Sequence, residues 1–127
     1  MNKPRILIVD DEPSFVRLLK LVLERTGRYS VRKENDATKA LEAARAFQPD
    51  LIVLDFMMPK VDGASLAKAL RAEAQFSHTP IFFLTATVVE NNGSAAQIAG
   101  FPAFSKPIGV NQLLHVIDEN LAAAVGG

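Results

Sequence analysis

The chain has 127 residues, 49% of them hydrophobic, and its 14 basic residues balance its 14 acidic ones. This balance excludes a global field for nucleic acid or anionic lipid, and no apolar run approaches the ~18 residues that a membrane span needs. The length predicts a single domain over residues 1–127, with its core at about 5–121. With no cysteine for disulfides or thiolate metal sites and no signal peptide, we expect a cytoplasmic protein.

The first half of the chain alternates apolar runs with amphipathic segments. Residues 5–9 predict a buried strand, and Pro13 suits the first turn of the next helix, since its missing N–H costs nothing there. The apolar face of that helix has i, i+3, i+4, i+7 spacing and comprises Phe15, Leu18, Leu19 and Val22. We expect Gly27 to end this helix, residues 29–33 to form a weaker edge strand, and Asp36 to cap a second helix. The inner face of the second helix comprises Ala40, Leu41, Ala44 and Phe47.

The middle of the chain predicts the most deeply buried strand, an aliphatic run over 51–54 that leads directly into Asp55. Such a run is typical of a strand covered on both faces, as in parallel sheets. A loop ending at Gly63 precedes a third helix, whose inner face is expected to comprise Leu66, Ala69 and Leu70. Residues 81–84 then predict a fourth strand, which delivers Thr85 to the same edge of the sheet.

The last part of the chain is less regular. The triplet Asn91-Asn92-Gly93 falls where a fourth helix is due and favours a turn, so we expect that helix to be short, over 94–99, or mobile. A brief fifth strand over 103–105 leads to Lys106. The inner face of a final helix comprises Leu113, Leu114, Ile117 and Leu121. Five strands alternating with five helices predict a doubly wound α/β domain, with a parallel sheet covered on both faces.

Acidic, hydroxyl and basic side chains stand where the predicted strands end. Asp10 and Asp11 follow the first strand, Asp55 the third, Thr85 the fourth and Lys106 the fifth. The carboxyl ends of parallel strands share one edge of the sheet, where open α/β proteins bind their ligands. We therefore expect these five side chains to converge.

Three converging carboxylates need a compensating positive charge. Each pair repels by roughly 4 kcal/mol at about 4 Å and an effective dielectric constant of about 20. Lys106 offers one positive charge, and a hard cation with oxygen ligands would supply the rest. Mg²⁺ fits best, because it takes one or two carboxylates, keeps several waters and bridges to phosphate. The first turn has no glycine-rich sequence, which argues against a dinucleotide.

Together these motifs resemble the receiver domain of two-component response regulators, in the CheY-like superfamily. The motifs are Asp10-Asp11-Glu12, Asp55-Phe56-Met57-Met58-Pro59 with Asp62-Gly63, Leu84-Thr85-Ala86, and Lys106-Pro107. Each is weak alone, but their conjunction is specific and covers about 5–121. The resemblance implies a flavodoxin-like (βα)5 fold, with a five-stranded parallel sheet of order 2-1-3-4-5 and helices on both faces.

The resemblance also implies a phosphorelay role. Asp55 would accept a phosphoryl group from a sensor histidine kinase or a histidine phosphotransfer protein, in a Mg²⁺-dependent reaction. Asp11, Asp55 and the backbone carbonyl of Met57 would bind Mg²⁺ directly, and Asp10 would hold it through water. The domain would catalyse only its own phosphorylation and slow dephosphorylation, and it would not otherwise be an enzyme.

Three further residues take roles from the same resemblance. Thr85 would hydrogen-bond the phosphoryl group, Lys106 would pair with it, and the peptide bond before Pro107 would be cis. The structural change caused by phosphorylation would then reach an interaction surface made of the fourth helix, fifth strand and fifth helix. Its downstream protein partner is unknown, and neither direct nucleic-acid binding nor membrane contact is expected of the domain.

Two features depart from the pattern of receivers. These domains usually carry an aromatic residue three positions before the lysine, where this chain has Ala103, with Phe104 one place later. Period-2 alternation points Ala103 and Phe104 to opposite faces of the sheet, so we interpret the aromatic switch position as empty. The short fourth helix is the second departure. Both affect the output mechanism more than phosphorylation itself.

Residues flanking the site refine the hypothesis. Met57 and Thr87, two places after the aspartate and the threonine, are poorly suited to orient an attacking water, which predicts slow self-dephosphorylation. We interpret Asp62 as a turn residue, and Glu12 as either a neighbour of the metal site or a first-turn acid favoured by the helix dipole.

Two other classes of function stay open. One is a pseudo-receiver, an interaction module that keeps the fold but switches without phosphate, which Ala103 favours. The other is a Mg²⁺-dependent hydrolase with an aspartyl-phosphate intermediate. That hydrolase would want a second acid two residues after Asp55, where this chain has Met57.

Overall fold

The computed structural model describes residues 3–86, 97–106 and 108–126. Within these ranges, strands and helices alternate along most of the chain, with a short 3₁₀ turn before one helix and after another. The strands are β1 (Arg5–Val9), β2 (Ser30–Glu34), β3 (Leu51–Leu54), β4 (Ile81–Thr85), β5 (Gln97–Ile98) and β6 (Phe101–Ser105). The helices are α1 (Pro13–Arg25), α2 (Ala40–Phe47), α3 (Gly63–Ala72) and α4 (Val110–Gly126), and the 3₁₀ turns are Ala37–Lys39 and Ala74–Phe76.

The strands form one sheet of order β2-β1-β3-β4-β6-β5. Strands β1 to β4 and β6 are parallel, and β5 adds a short antiparallel strand at the edge. Because β6 occupies the place of the predicted fifth strand, the parallel order 2-1-3-4-5 is confirmed. The edge position predicted for the second strand is confirmed as well.

Alternate residues of the central strands enter two apolar clusters, one on each face of the sheet. One cluster joins Ile52, Leu54 and Phe83 to α2 and α3, and we call it cluster A. The other, cluster B, joins Val53 and Phe82 to α1 and α4. Helices therefore cover both faces, as a doubly wound fold requires. Among the described residues, no helix is long and apolar enough to cross a membrane.

The buried face of α1 differs from the predicted one. Its buried residues are Val16, Leu19 and Leu23, whereas Leu18 is 57% exposed. The sequence of α1 contains two adjacent apolar stripes, and the spacing alone does not decide which one packs on the sheet. The helix ends two residues before Gly27, which follows its C-cap with a positive φ of 74°.

A similar shift occurs in α3, where Ala67 is buried and Ala69, predicted to face inward, is exposed. The other two predicted core positions of this helix, Leu66 and Leu70, are buried. Asp36 caps the 3₁₀ turn before α2 by accepting a hydrogen bond from the backbone N–H of Thr38.

The prediction of a short helix over 94–99 is wrong for the part of that segment that the structure describes. Gln97 and Ile98 form β5, which pairs with β6 around a two-residue turn of Ala99 and Gly100. Both turn residues have positive φ, 54° and 87°, as a tight hairpin turn with the twist of its flanking strands requires. Residues 94–96 lie outside the described ranges. As part of this hairpin, β6 begins at Phe101, two residues before the predicted start of the fifth strand.

Gly63, the first residue of α3, lies against the end of β3. A Cβ added there would lie 2.8 Å from the Cα and the carbonyl oxygen of Phe56 and 2.9 Å from the carbonyl oxygen of Asp55. Since these are backbone atoms, they cannot rotate away. The glycine thus allows α3 to approach the loop that carries Asp55.

We expect Gly63→Ala to lower the free energy of unfolding by about 1–3 kcal/mol, the usual cost of overpacking a tight site. Urea denaturation of both proteins measures this difference. Gly109→Ala is the matched control, since a Cβ there would meet no atom within 4 Å. Equal losses in the two variants would contradict the steric explanation.

Candidate functional site

The predicted site residues lie at the carboxyl edge of the sheet, held there by backbone hydrogen bonds that continue the strand ladders. The N–H of Asp55 donates to the carbonyl of Val9 at 2.9 Å, which ties the residue after β3 to the end of β1. The N–H of Lys106 donates to the carbonyl of Thr85 at 2.7 Å, which ties the residue after β6 to the end of β4. Hydrogen bonding between the strands therefore fixes the backbone positions of Asp55 and Lys106 at the edge of the sheet.

The structure brings three carboxylates together at this edge. Asp10, Asp11 and Asp55 each offer one oxygen, and these oxygens lie within 4.8 Å of one another. Asp10 and Asp55 are 2% and 5% exposed, and Asp11 is partly buried. A cluster of hard, anionic oxygen donors suits Mg²⁺, which prefers such ligands. The donor set therefore fits the cation that the sequence predicts.

Among the described side chains, Lys106 is the one that places a positive charge beside these carboxylates. Its Nζ lies 2.7 Å from Oδ2 of Asp10 and 3.8 Å from Oδ2 of Asp55. It also lies 3.7 Å from Oε1 of Glu12, the N-cap residue of α1. Among the described residues, the shortest ion pair of the ammonium is the one with Asp10. Glu12, left open by the sequence, is a neighbour of this charge cluster.

Each buried carboxylate also accepts a backbone hydrogen bond. Oδ1 of Asp10 accepts from the N–H of Glu12 at 3.0 Å, and Oδ1 of Asp55 accepts from the N–H of Met57 at 3.3 Å. These bonds orient the two carboxylates toward the cluster.

The charge on Asp55 is disfavoured in the folded chain. Its pKa is raised from 3.8 to about 6, first because the carboxyl is buried and second because Asp10 lies nearby. Lys106 and the N–H of Met57 lower the pKa of Asp55, and Asp11 raises it slightly. Burial and repulsion therefore outweigh the lysine, so a second positive charge would be favourable here.

Thr85 ends β4 and its side chain is fully buried. Its carbonyl accepts the hydrogen bond from Lys106, so the two residues are adjacent at the edge of the sheet. Two other residues from the sequence analysis, Thr87 and Pro107, lie outside the described ranges.

Two residues of the loop after β3 pair with each other. Met57 and Asp62 form an isolated antiparallel bridge, and Met57 is 62% exposed. Asp62 is the N-cap of α3, accepting from the N–H of Ala64 and the hydroxyl of Ser65. Asp62 therefore has a structural role, as a helix cap and not as the predicted turn residue.

Ala103 and Phe104 point to opposite faces of the sheet, as the alternation predicts. Ala103 belongs to cluster A, whereas Phe104 packs on cluster B with its ring edge-to-face with Phe82. On the Ala103 face, the nearest aromatic residue of the same strand is Phe101, which contacts Phe83 edge-to-face and lies under the guanidinium of Arg71. Phe104 therefore does not replace the aromatic residue missing at 103.

Sequence reasoning missed one residue at the site. The ring of Phe15, in the first turn of α1, lies with its centroid 4.2 Å from Nζ of Lys106. The apolar spacing of α1 marks Phe15 as a core residue, and it does pack against cluster B. Nothing in that spacing indicates that the ring also contacts a cation.

A model of the response regulator receiver domain matches residues 6–118 of the chain. One curated relative is the alkaline phosphatase synthesis transcriptional regulatory protein PhoP of Bacillus subtilis, which is 50% identical over 86 residues, 68% of this chain and 34% of that protein. A second is the polar-differentiation response regulator DivK of Brucella anthropi, 30% identical over 120 residues, 94% of this chain and 97% of that protein. The chain thus spans about a third of PhoP and nearly all of DivK.

Two solved structures of related proteins are also similar to this chain. The chemotaxis protein CheY4 of Vibrio cholerae superposes with a TM-score of 0.79 at 26% identity, covering 93% of this chain and 98% of that one. The receiver domain of a Francisella response regulator superposes with a TM-score of 0.79 at 27% identity, covering 95% and 98%. With its acidic cluster at the carboxyl edge of a 2-1-3-4-5 sheet, the chain belongs to the response regulator receiver domains, which are signalling modules of two-component systems.

Proposed function

We propose that the chain accepts a phosphoryl group on Asp55 from a sensor histidine kinase or a histidine phosphotransfer protein, in a Mg²⁺-dependent reaction. The observation that carries this proposal is the buried carboxylate of Asp55, grouped with two further carboxylates and with Lys106 at one edge of the sheet. We further propose that residues 1–127 act as one receiver domain, with an unidentified downstream protein as partner.

Asp55 is the nucleophile in this proposal. One oxygen of its carboxylate bonds to phosphorus as the bond from phosphorus to the donor nitrogen breaks, and the departing imidazole keeps the electron pair and takes up a proton. Asp10, Asp11, Asp55 and the backbone carbonyl of Met57 would hold Mg²⁺. When bound, Mg²⁺ neutralises charge on the transferred oxygens.

Lys106 and Thr85 stabilise the product. Lys106 leaves its short ion pair with Asp10 and pairs with the phosphoryl oxygens on Asp55, whose Oδ2 lies 3.8 Å from Nζ in the unphosphorylated chain. The hydroxyl of Thr85 donates a hydrogen bond to the same group. The new dianion thereby gains contacts that differ between the two states and bias the protein toward one of them.

The output of this switch involves the surface near β6 and α4. Ala103 fills the place where receivers usually carry an aromatic residue, and it lies 3% exposed in cluster A. A methyl group has no rotamer to exchange, so we propose that the signal leaves the site without an aromatic switch at 103.

The same residue supports a second candidate function. A pseudo-receiver would keep the fold and switch a protein interaction without phosphate, and the small side chain of Ala103 is compatible with that role. Phosphorylation of Asp55, or its absence, distinguishes the two candidates.

We expect one phosphoryl adduct on the intact protein after incubation with acetyl phosphate and Mg²⁺, measured by mass spectrometry. The adduct should be absent without Mg²⁺ and in Asp55→Asn. Asp62→Asn is the matched control, because Asp62 caps α3 and should leave the adduct in place. A wild-type protein that forms no adduct and binds no beryllofluoride would favour the pseudo-receiver.

The raised pKa of Asp55 predicts a pH-dependent stability in the absence of divalent cations. The pKa of Asp55 is about 6 in the folded chain and ~3.9 in the unfolded chain, so folding favours its protonated form. The free energy of unfolding should therefore fall as the pH rises from about 4 to about 6. Asp55→Asn should remove this penalty and stabilise the protein by about 1–3 kcal/mol at pH 7.5, but not at pH 4.

Urea denaturation of both proteins at the two pH values measures the difference. A variant that gains equally at pH 4 and pH 7.5 would contradict the ionisation argument. Adding Mg²⁺ at pH 7.5 should stabilise the wild type more than the variant, because a ligand of the folded state adds stability by mass action.

We expect the phosphoryl group, once formed, to be lost slowly. The exposed thioether of Met57 flanks the site and offers no group that orients an attacking water, whereas an amide does. Met57→Asn should therefore shorten the lifetime of the adduct, followed by mass spectrometry after removal of acetyl phosphate. An unchanged lifetime would argue against this role for position 57.

A further inference from the structure

The ammonium of Lys106 lies close both to carboxylates and to the face of an aromatic ring. Its Nζ is 2.7 Å from Oδ2 of Asp10 and 4.2 Å from the centroid of the Phe15 ring. The lysine side chain is only 10% exposed, so protein atoms replace most of its water. A cation at this distance from a ring is attracted by the negative charge of the aromatic face, and more strongly when it is desolvated.

The same carboxylate that pairs with Lys106 also fixes the helix that carries Phe15. Oδ1 of Asp10 accepts from the N–H of Glu12, and the carbonyl of Glu12 accepts from the N–H of Val16 in the first turn of α1. Phe15 lies within that turn and packs against cluster B. Its ring is therefore held in place from both the site and the core.

An aromatic face differs from a carboxylate in how it holds an ammonium. The short bond to Asp10 is directional and must break before Lys106 reaches a group on Asp55, whose Oδ2 is 3.8 Å away. The attraction of the ring face depends little on how the ammonium is rotated about its own axis, so it persists while the N–H bonds turn from one oxygen to the other. An aliphatic side chain at position 15 would fill the space without this attraction.

We propose that Phe15 is a positioning residue for phosphoryl transfer, whose ring face holds the Lys106 ammonium in the site as it passes from Asp10 to the phosphoryl group on Asp55. This inference rests on the proposed function. It assigns to an apolar residue of α1 a role in the chemistry that its place in the core does not require.

The contact itself can be measured without phosphorylation, by NMR of protein labelled with ¹³C-lysine. The ε-methylene protons of Lys106 should be shifted upfield by the ring, with the resonance assigned by its loss in Lys106→Met. The shift should disappear in Phe15→Leu and return in Phe15→Tyr. An ε-methylene resonance that is the same in wild type and Phe15→Leu would overturn the proposal.

The role in transfer is measured by the rate of adduct formation with acetyl phosphate at saturating Mg²⁺. Phe15→Leu should slow the reaction about three- to tenfold, and Phe15→Tyr should restore it. Replacing Phe15 by mono-, di- and trifluorophenylalanine, which weakens the ring face at nearly constant size, should lower the rate stepwise. In a Lys106→Met background the series should have no effect.

Phe104 is the matched control for this series, because it packs on cluster B with its ring against Phe82. Fluorination there should leave the rate unchanged. A normal wild-type rate that is insensitive to fluorination at 15, or equally sensitive in the Lys106→Met background, would overturn this inference alone. A wild type that forms no adduct would instead contradict the proposed function, and the NMR shift would then decide whether the ring holds the ammonium.

Discussion

Repulsion among three clustered carboxylates, two of them buried, is the constraint on which the site depends. Sheet pairing forces Asp10 and Asp55 to lie side by side, and burial of both removes the water that would screen them. One lysine does not offset both the burial of Asp55 and its repulsion by Asp10, since the pKa of Asp55 stays well above its ordinary value. The folded chain thus holds an unfavourable arrangement of charge that a bound cation would relieve, so that cation binding and the stability of the fold are linked at this cluster.

Much of the fold and the placement of the site could be predicted because both follow from strand boundaries. The aliphatic run over 51–54 identifies a buried parallel strand, and the position of Asp55 at its end follows from the chain itself. The sequence could not supply how deeply the carboxyl would be buried, which sets its pKa. It also could not decide between the two apolar stripes of α1, so the exposure of Leu18 and the contact from Phe15 to Lys106 were missed.

The hairpin was missed for a different reason. A helix was expected from the rhythm of alternating elements, but Gly100 and the left-handed conformation of Ala99 form a turn of two residues. Alanine rarely adopts that conformation, so its sequence gives no warning of it. Local preference was overridden here by pairing with β6, which carries the edge of cluster A through Phe101.

One outer strand of the sheet, β2, resists unwanted pairing through its charges. It carries Arg32, Lys33 and Glu34 in succession, and charges on an edge strand discourage pairing with another chain. The domain can thus remain free of unwanted contacts along this edge of its sheet.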